Sequence, residues 1–372
     1  MRIYLDFNAS TPIAPEVAEA MRPFLTDHYG NPSSPHWAGK PAKDAVEHAR
    51  AQVAGLLGCS PQEIVFTSGG TESNNHAIKG VFLANRQRGS HIITTQVEHP
   101  AVLQPCRFLE RLGAKVTYVG VDGFGQVDPD DVRKAITPET ILISVMHANN
   151  EVGTVQPIPE IARIARECGV TFHTDAAQSV GKISVHVDEL GVDLLSVAGH
   201  KVYAPKGVGA LYIREGAKIE ALMHGAGHEG GRRAGTENVL LDVGLGAACE
   251  LARQHIGMPN VLRLRDRFWE LLQERFGERA VLNGHPTVRL PNTLNVSFRG
   301  RIGSDVLGAL DGVAASTGSA CHEGAMEMSP VLRAMGLPPQ VGLGAVRLSL
   351  GRTTTEAEIE EVAGRLASLA GF

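Results

Sequence analysis

Three strand-like segments of the chain each end in residues that could do chemistry. The first, Ile64-Val-Phe-Thr, runs into Ser68-Gly69-Gly70, and Thr71 then opens a helix-like stretch. Backbone N–H groups, the positive end of a helix dipole and a hydroxyl meet there, which suits a phosphate. An ordinary glycine turn with Thr71 as a cap is the plainer alternative. The second, Val170-Thr-Phe-His-Thr, ends in Asp175, with Gln178 three residues on. A carboxylate there can pair with a protonated ring nitrogen of a cofactor, or simply cap the next helix. The third, Asp193-Leu-Leu-Ser-Val-Ala, ends in Gly199-His200-Lys201. A lysine so placed is either a solvated loop residue or a partly desolvated amine able to form a Schiff base. A phosphate cradle, a carboxylate for a pyridinium and an amine for an aldehyde are the three parts that pyridoxal 5′-phosphate needs.

Further candidates surround these. His99, in Val97-Glu-His-Pro, could stack on a planar cofactor or shuttle protons, or be a turn histidine before Pro100. Asn149-Asn150-Glu151 closes another apolar run with polar groups that have no evident structural need to cluster. Cys321 stands among small residues with glycines on both sides, a setting for an exposed, mobile, reactive thiol. Cys168 and Cys249, in apolar helical contexts, read instead as small buried hydrophobes. Arg347, in the apolar run Val346-Arg-Leu-Ser-Leu, could fork a substrate carboxylate or serve a structural ion pair. Gly225-Ala-Gly-His-Glu-Gly matches a dinucleotide-binding spacing but follows no strand and opens no apolar helix, so it is set aside. Arg263, Arg265 and Arg267 read as the solvated face of a helix.

These residues must be positioned by regular elements, and the pattern supplies them. The spacing predicts a helix over Gly39–Leu57 and strands at Ile64–Thr67, His91–Val97, Lys115–Val121, Thr140–His147, Val170–Thr174 and Leu194–Val197. Helix-like stretches such as Pro159–Cys168 lie between them, which implies βαβ units, a largely parallel sheet and ligands beyond the strands' carboxyl ends. After Gly257-Met-Pro the pattern changes to a long amphipathic helix over Asn260–Gly277, short strands near Thr293–Phe298 and Val346–Ser349, and a closing helix over Glu356–Leu369. The fold class is therefore α/β with a smaller α+β companion. At 372 residues the chain has room for two such units, and 43% hydrophobic residues supply the cores. With 35 basic against 40 acidic residues the net charge is −5, which disfavours a nucleic-acid or anionic-membrane binder. Five scattered cysteines without a CxxC pair exclude a disulfide scaffold or zinc ribbon, and no metal site is expected. The expectation is a cytoplasmic enzyme.

Taken together the motifs resemble the NifS/IscS-type cysteine desulfurases, in the class V aminotransferase group of fold-type I pyridoxal-phosphate enzymes. The resemblance runs from Tyr4-Leu-Asp-Phe-Asn-Ala-Ser-Thr-Pro through Gly30-Asn-Pro-Ser-Ser, Thr67-Ser-Gly-Gly-Thr-Glu-Ser-Asn-Asn, Glu98-His-Pro, Asn149-Asn-Glu-Val-Gly, His173-Thr-Asp-Ala-Ala-Gln, Gly199-His-Lys and Arg233-Ala-Gly-Thr-Glu-Asn to Gly318-Ser-Ala-Cys and Arg347-Leu-Ser-Leu-Gly-Arg. Selenocysteine lyases share the scaffold and are also similar around Asp6-Phe-Asn and Cys321-His. The resemblance implies a large cofactor-binding unit over 15–256 and a small unit built from 1–14 and 257–372. It implies Lys201 as the Schiff-base lysine, Asp175 at the pyridinium nitrogen, Gln178 at the ring hydroxyl and His99 stacked on the ring. Gly70, Thr71 and His200 would hold the phosphate, joined by Thr236 of the second copy in a homodimer. Asn150 would meet the cofactor and, with Asn31 and Arg347, the carboxylate of L-cysteine. Cys321 would take the sulfur and pass it to an acceptor protein, serving iron–sulfur clusters, thio-cofactors or tRNA thiolation. Selenocysteine lyase is the nearest alternative; a plain class V aminotransferase or a catalytically idle scaffold follows. Ala198, Gly230 and His322-Glu323 depart from the family pattern, the first removing a hydroxyl from the expected phosphate site.

Overall fold

A computed structural model describes residues 2–317, 320–322 and 325–369, with the backbone alone for 320–322, 325 and 326. In chain order the strands are β1 (Ile3–Tyr4), β2 (Ile64–Thr67), β3 (His91–Thr95), β4 (Lys115–Val119), β5 (Thr140–Ser144), β6 (Thr171–Asp175), β7 (Leu194–Ala198) and β8 (Gly209–Ile213). They are followed by β9 (Ala280–Asn283), β10 (Thr293–Phe298), β11 (Val313–Ala314), β12 (Ser316–Thr317), β13 (Ala320–His322), β14 (Ala325–Glu327) and β15 (Ala345–Ser349). Seven strands form one sheet in the order β2-β8-β7-β6-β5-β3-β4. Every pairing is parallel except those of β8, which runs against both β2 and β7. β2, β3, β5, β7 and β8 are buried from end to end and β6 from Phe172 on, as a sheet covered on both faces requires, while the edge strand β4 is buried only at Val119.

The helix Gly39–Leu57 forms where its apolar stripe predicts, and Gly58 ends it in the left-handed conformation that glycine takes without strain. Beside it lies the buried helix Val239–Arg253, which the sequence reading did not delineate. Its apolar residues run almost all the way round, so no period marks it. The strand β8 was missed too, because Gly209-Ala-Leu-Tyr-Ile is too short to tell from a buried turn of helix. One glycine here is dictated by close approach. A Cβ on Gly209 would lie 2.5 Å from the Val197 carbonyl and 2.7 Å from the Gly69 Cα.

A second sheet, β12-β15-β10-β9, is antiparallel and is covered by the helices Pro259–Phe276 and Glu356–Ser368. Leu264, Phe268, Leu272, Val296, Leu348, Ile359 and Val362 pack its core, and Ile3 and Leu5 join them. β1 pairs in parallel with β11, so the start of the chain is built into this layer. Cys321 lies on β13, which pairs antiparallel with β14 in the register Cys321↔Met326 rather than forming a plain loop. Its side chain lies outside the described residues, as do Gly318, Ser319, Glu323 and Gly324.

Two expectations need correction. Cys168 is exposed, because it is the residue that ends the helix Ile158–Glu167 and so projects past the buried stripe. Arg265 is buried rather than solvated, its Nη1 donating to the Leu290 carbonyl at 2.7 Å. Cys249 is buried as expected. Gly225–Gly230 forms turns and a short 3₁₀ segment, with no strand before it. Among the described residues no helix is long and apolar enough to cross a membrane, and none of the His, Cys, Asp and Glu clusters could hold a metal.

A buried fork anchors the segment that follows β8. Arg50 donates Nη1 and Nη2 to Glu229 at 2.7 and 2.8 Å, and Glu229 also accepts the Phe66 N–H. Removing one partner strands the other charge in the interior. Arg50→Leu is therefore expected to lower the unfolding free energy by about 3–5 kcal/mol in urea denaturation at neutral pH. A loss below 1 kcal/mol would show that the fork carries no stability.

Candidate active site

Topology brings the predicted residues together. The carboxyl ends of β2, β3, β5, β6 and β7 share one edge of the sheet, and the reversed β8 brings its amino end there. A cavity of about 640 Å³ opens at this edge. Its lining includes Gly70, Thr71, His99, Asn150, Asp175, Gln178, His200, Lys201 and Arg347, together with Asn8, Asn74 and Ala198. Asn31 and Thr236 do not line it. Asn31 is exposed, its side chain accepting the Ser33 N–H at 2.9 Å, and Thr236 borders a separate pocket beside Glu229 and Arg233.

The helix Gly70–Ala84 begins at the cavity wall. Its N-cap, Gly69, has φ +146° and offers no side chain, so the first-turn N–H groups face the cavity without a protein cap. Glu72 shapes the turn: it accepts the Ser68 N–H at 2.8 Å and is forked by Arg233. Ala198 packs in the same wall, its Cβ close against Gly70, where a side chain on the glycine would lie 3.1 Å from it.

Asp175, the last residue of β6, is buried. Its Oδ1 accepts the Ala177 N–H at 2.9 Å and its Oδ2 accepts from Asn74 Nδ2 at 2.7 Å. These bonds fix the carboxylate, and among the described residues no cation forms a salt bridge with it, so it is free to meet a ligand N–H⁺. His99 caps the helix Pro100–Glu110, its Nδ1 accepting the Ala101 N–H at 3.0 Å. That bond assigns the neutral ring the tautomer with its proton on Nε2.

Lys201 Nζ donates to the Ala9 carbonyl at 2.8 Å and to the Asn8 carbonyl. Burial, reinforced by Arg347 and opposed by Asp175 and Asp6, pushes its amine down to about 8. His200 is pushed down to about 4 by burial and by Lys201 and Lys206, so it meets the cavity as a neutral imidazole. Arg347 donates to Asp6 Oδ1 at 2.8 Å and to the Asn150 carbonyl at 3.0 Å, while its buried Nε has no partner among the described residues.

The expectation that Asn149 has no structural need is wrong. Its Oδ1 accepts the Glu151 and Val152 N–H groups and its Nδ2 donates to the Val97 carbonyl, so it builds the turn after β5. Glu98 does similar work, accepting Thr95 Oγ1 and the Met146 N–H and so tying the ends of β3 and β5. Sequence reasoning also passed over Asn8, Asn74 and Lys182. Asn74, three residues after Thr71, faces the same way on the helix, and that spacing was the available signal. Asn8 and Lys182 act through tertiary contacts that no local pattern marks.

The aminotransferase class-V family model matches residues 3–362. A cysteine desulfurase IscS from Dictyoglomus turgidum is 52% identical over 361 residues, covering 96% of this chain and 91% of that protein. One from Methanosarcina thermophila is 51% identical over 364 residues, covering 97% and 90%. Among solved structures a NifS-like protein aligns with a TM-score of 0.92 at 38% identity, over 99% of this chain and 98% of that one. SspA in complex with cysteine aligns with a TM-score of 0.83 at 39% identity, over 94% and 99%.

The depressed amine is directly measurable. Labelling with formaldehyde and borohydride across a pH series should modify Lys201 with half-maximal rate near pH 8, against about 10.4 for an ordinary lysine. A midpoint above about 10 would show that the pocket does not perturb it. The family model and these relatives, matched over nearly the whole length, establish that the chain belongs to the class V aminotransferase family, among its cysteine desulfurases.

Proposed function

We propose that this chain is a pyridoxal 5′-phosphate-dependent cysteine desulfurase, converting L-cysteine to L-alanine and carrying the sulfur away on Cys321. The observation that carries the reading is the meeting of Lys201, Asp175 and the uncapped Gly70–Thr71 helix end in one cavity. These residues fit the cofactor. Free N–H groups and a hydroxyl suit a phosphate, a fixed carboxylate suits a pyridinium, and a depressed amine suits an aldehyde. Bound there, the cofactor supplies the electron sink for bond breaking at the substrate Cα.

The remaining work falls to the chain. Gly70, Thr71 and neutral His200 would hold the phosphate, with Thr236 supplied by a second copy. Asp175 would pair with the ring nitrogen, Gln178 would meet the ring hydroxyl, and His99 would lie against the ring. Lys201 would supply the amine that binds the aldehyde and the base that moves the substrate Cα proton. Arg347, with Asn150 and Asn31, orients the substrate carboxylate. The Cys321 thiolate would attack the substrate sulfur; an S–S bond forms as the C–S bond breaks, its electron pair stays with the substrate β-carbon, which takes a proton to become alanine, and a persulfide is left on the enzyme. The persulfide then goes to an acceptor protein for iron–sulfur cluster, thio-cofactor or thiolated-tRNA synthesis.

A homodimer is supported by the exposed Leu25 (65%), Tyr29 (74%) and Trp37 (81%), which lie close together in the chain and which a second copy would cover. Cys59, Cys106, Cys168 and Cys249 are free thiols, in keeping with the cytoplasm. Relatives of about half identity are named for cysteine, which favours desulfurase over selenocysteine lyase.

Brief exposure to L-cysteine without reductant should add one sulfur to the Cys321 peptide and release alanine. Turnover of selenocysteine alone, with Cys321 unmodified, would move the chain to the lyase branch. In Cys321→Ala the cofactor should stay bound while sulfur loading is lost; loading on another cysteine would sink the assignment. Lys201→Ala should abolish the borohydride-fixable bond to the cofactor and reduce turnover by at least about 10²–10⁴-fold. A fixable bond that survives would displace Lys201 from its role.

A further inference from the structure

Lys182 is a lysine buried to 5% exposure that the reaction as described does not use. Among the described residues no carboxylate pairs with it. Its Nζ donates to Gln178 Oε1 at 2.9 Å and to Asn8 Oδ1 at 3.3 Å. A lysine nitrogen so placed donates to both oxygens whether it is charged or neutral. The consequence falls on the two amides. With its oxygen claimed by Lys182, Gln178 must turn Nε2 the other way, where one N–H reaches the Asn8 carbonyl at 3.0 Å and the second is left for the cavity. Asn8 is fixed in the same manner. Its Oδ1 accepts Lys182 and Asn292, so its Nδ2 donates to Thr293 Oγ1 at 2.8 Å and to the Asn150 carbonyl at 3.2 Å. The Asn8 carbonyl, held by that clamp, is also an acceptor for Lys201.

We infer that Lys182 is a positioning residue that fixes the polarity of the cofactor pocket, forcing Gln178 to present an N–H donor beside the Asp175 carboxylate. This rests on the reading of the cavity given above. An isolated glutamine could turn either oxygen or nitrogen toward a ring hydroxyl. Beside a ring oxygen that carries negative charge, a donor stabilises and an inward carbonyl repels. The charged groups facing this corner are Lys201, Arg347, Asp175 and Asp6. None of these is hydrogen-bonded to Gln178 or Lys182, so none substitutes for Lys182 in orienting the amide.

The test is spectroscopic, on holoenzyme loaded with pyridoxal 5′-phosphate and without substrate. A donor to the ring oxygen lowers the pH midpoint of the bound cofactor's visible absorbance change, because it stabilises the deprotonated form. Lys182→Met should therefore raise that midpoint by about one unit, a tenfold change. Lys182→Arg, which keeps the donors, should stay near the wild-type value. In a Gln178→Ala background, Lys182→Met should add little, since the effect runs through Gln178. An unchanged midpoint in Lys182→Met overturns the inference. So does an equal rise in the Gln178→Ala background, which would mean that the lysine acts by its charge alone. Should Lys182→Met not fold, Lys182→Gln, able to accept as well as donate, should give a smaller rise, and no rise overturns the inference. A wild-type chain that takes up no pyridoxal 5′-phosphate refutes the reading of the cavity first, and this assignment with it.

Discussion

The site depends on one backbone carbonyl. The Asn8 oxygen accepts from Lys201 Nζ and from Gln178 Nε2, and the rest of Asn8 is held on every side. Its N–H donates to Ser349 Oγ at the end of β15, and its side chain donates to Thr293 and Asn150 and accepts Asn292 and Lys182. Ser349 and Thr293 belong to the second sheet, whereas Lys201 and Gln178 follow strands of the first. A single 1%-exposed asparagine thus sets the height of the small layer's edge against the reactive amine. Each bond is worth only about 1 kcal/mol net, but leaving any member unpaired in this interior costs about 1–3 kcal/mol. The network therefore holds as a unit.

The electrostatics follow from that burial. Desolvation disfavours charge on every amine in the corner, and it pushes Lys182 down to about 7 as it pushes Lys201 to about 8. The charges of Lys201 and Arg347 press Lys182 the same way, and that of Arg347 presses Lys201. Asp175 opposes the shift at Lys201, and its hydrogen bonds come from the neutral donors Asn74 and the Ala177 N–H rather than from a cation. The carboxylate is left able to pair with a ligand cation, and Lys201 holds a larger uncharged fraction near neutral pH than an ordinary lysine would. Those two states are what nucleophilic attack on an aldehyde and protonation of a ring nitrogen require.

The parts of this arrangement legible in sequence were those with a local mark. Thr71, Asp175, His200 and Lys201 each follow an apolar run, and strand ends in a parallel sheet converge on one edge. Gly39–Leu57 and Thr293–Phe298 were readable to the residue because their periodicity is unbroken. Other strands came out shorter than read: Val145 and Val97 are as apolar as strand residues but already lie in the connections. Arg265 misled because its neighbours Arg263 and Arg267 are surface residues, while its own position turns it toward the Leu290 carbonyl. Lys182 and Asn8 left no local trace, since what makes them important is 174 residues of sequence separation closed by tertiary packing.

The same sheet geometry links Arg347 to the segment that leads to Cys321. Arg347 lies on β15 directly opposite Ser316 of β12, in antiparallel register. Cys321 follows Ser316 by five positions, so the chain between them can span on the order of 17 Å when fully extended. Ser316 Oγ donates to Asp6 Oδ1 at 2.9 Å, the same oxygen that accepts Arg347, so β12 and Arg347 are held to one carboxylate. Asp6 therefore couples the position of Arg347 in the cavity to the strand that leads toward Cys321, so a displacement of either is felt by the other through one shared carboxylate.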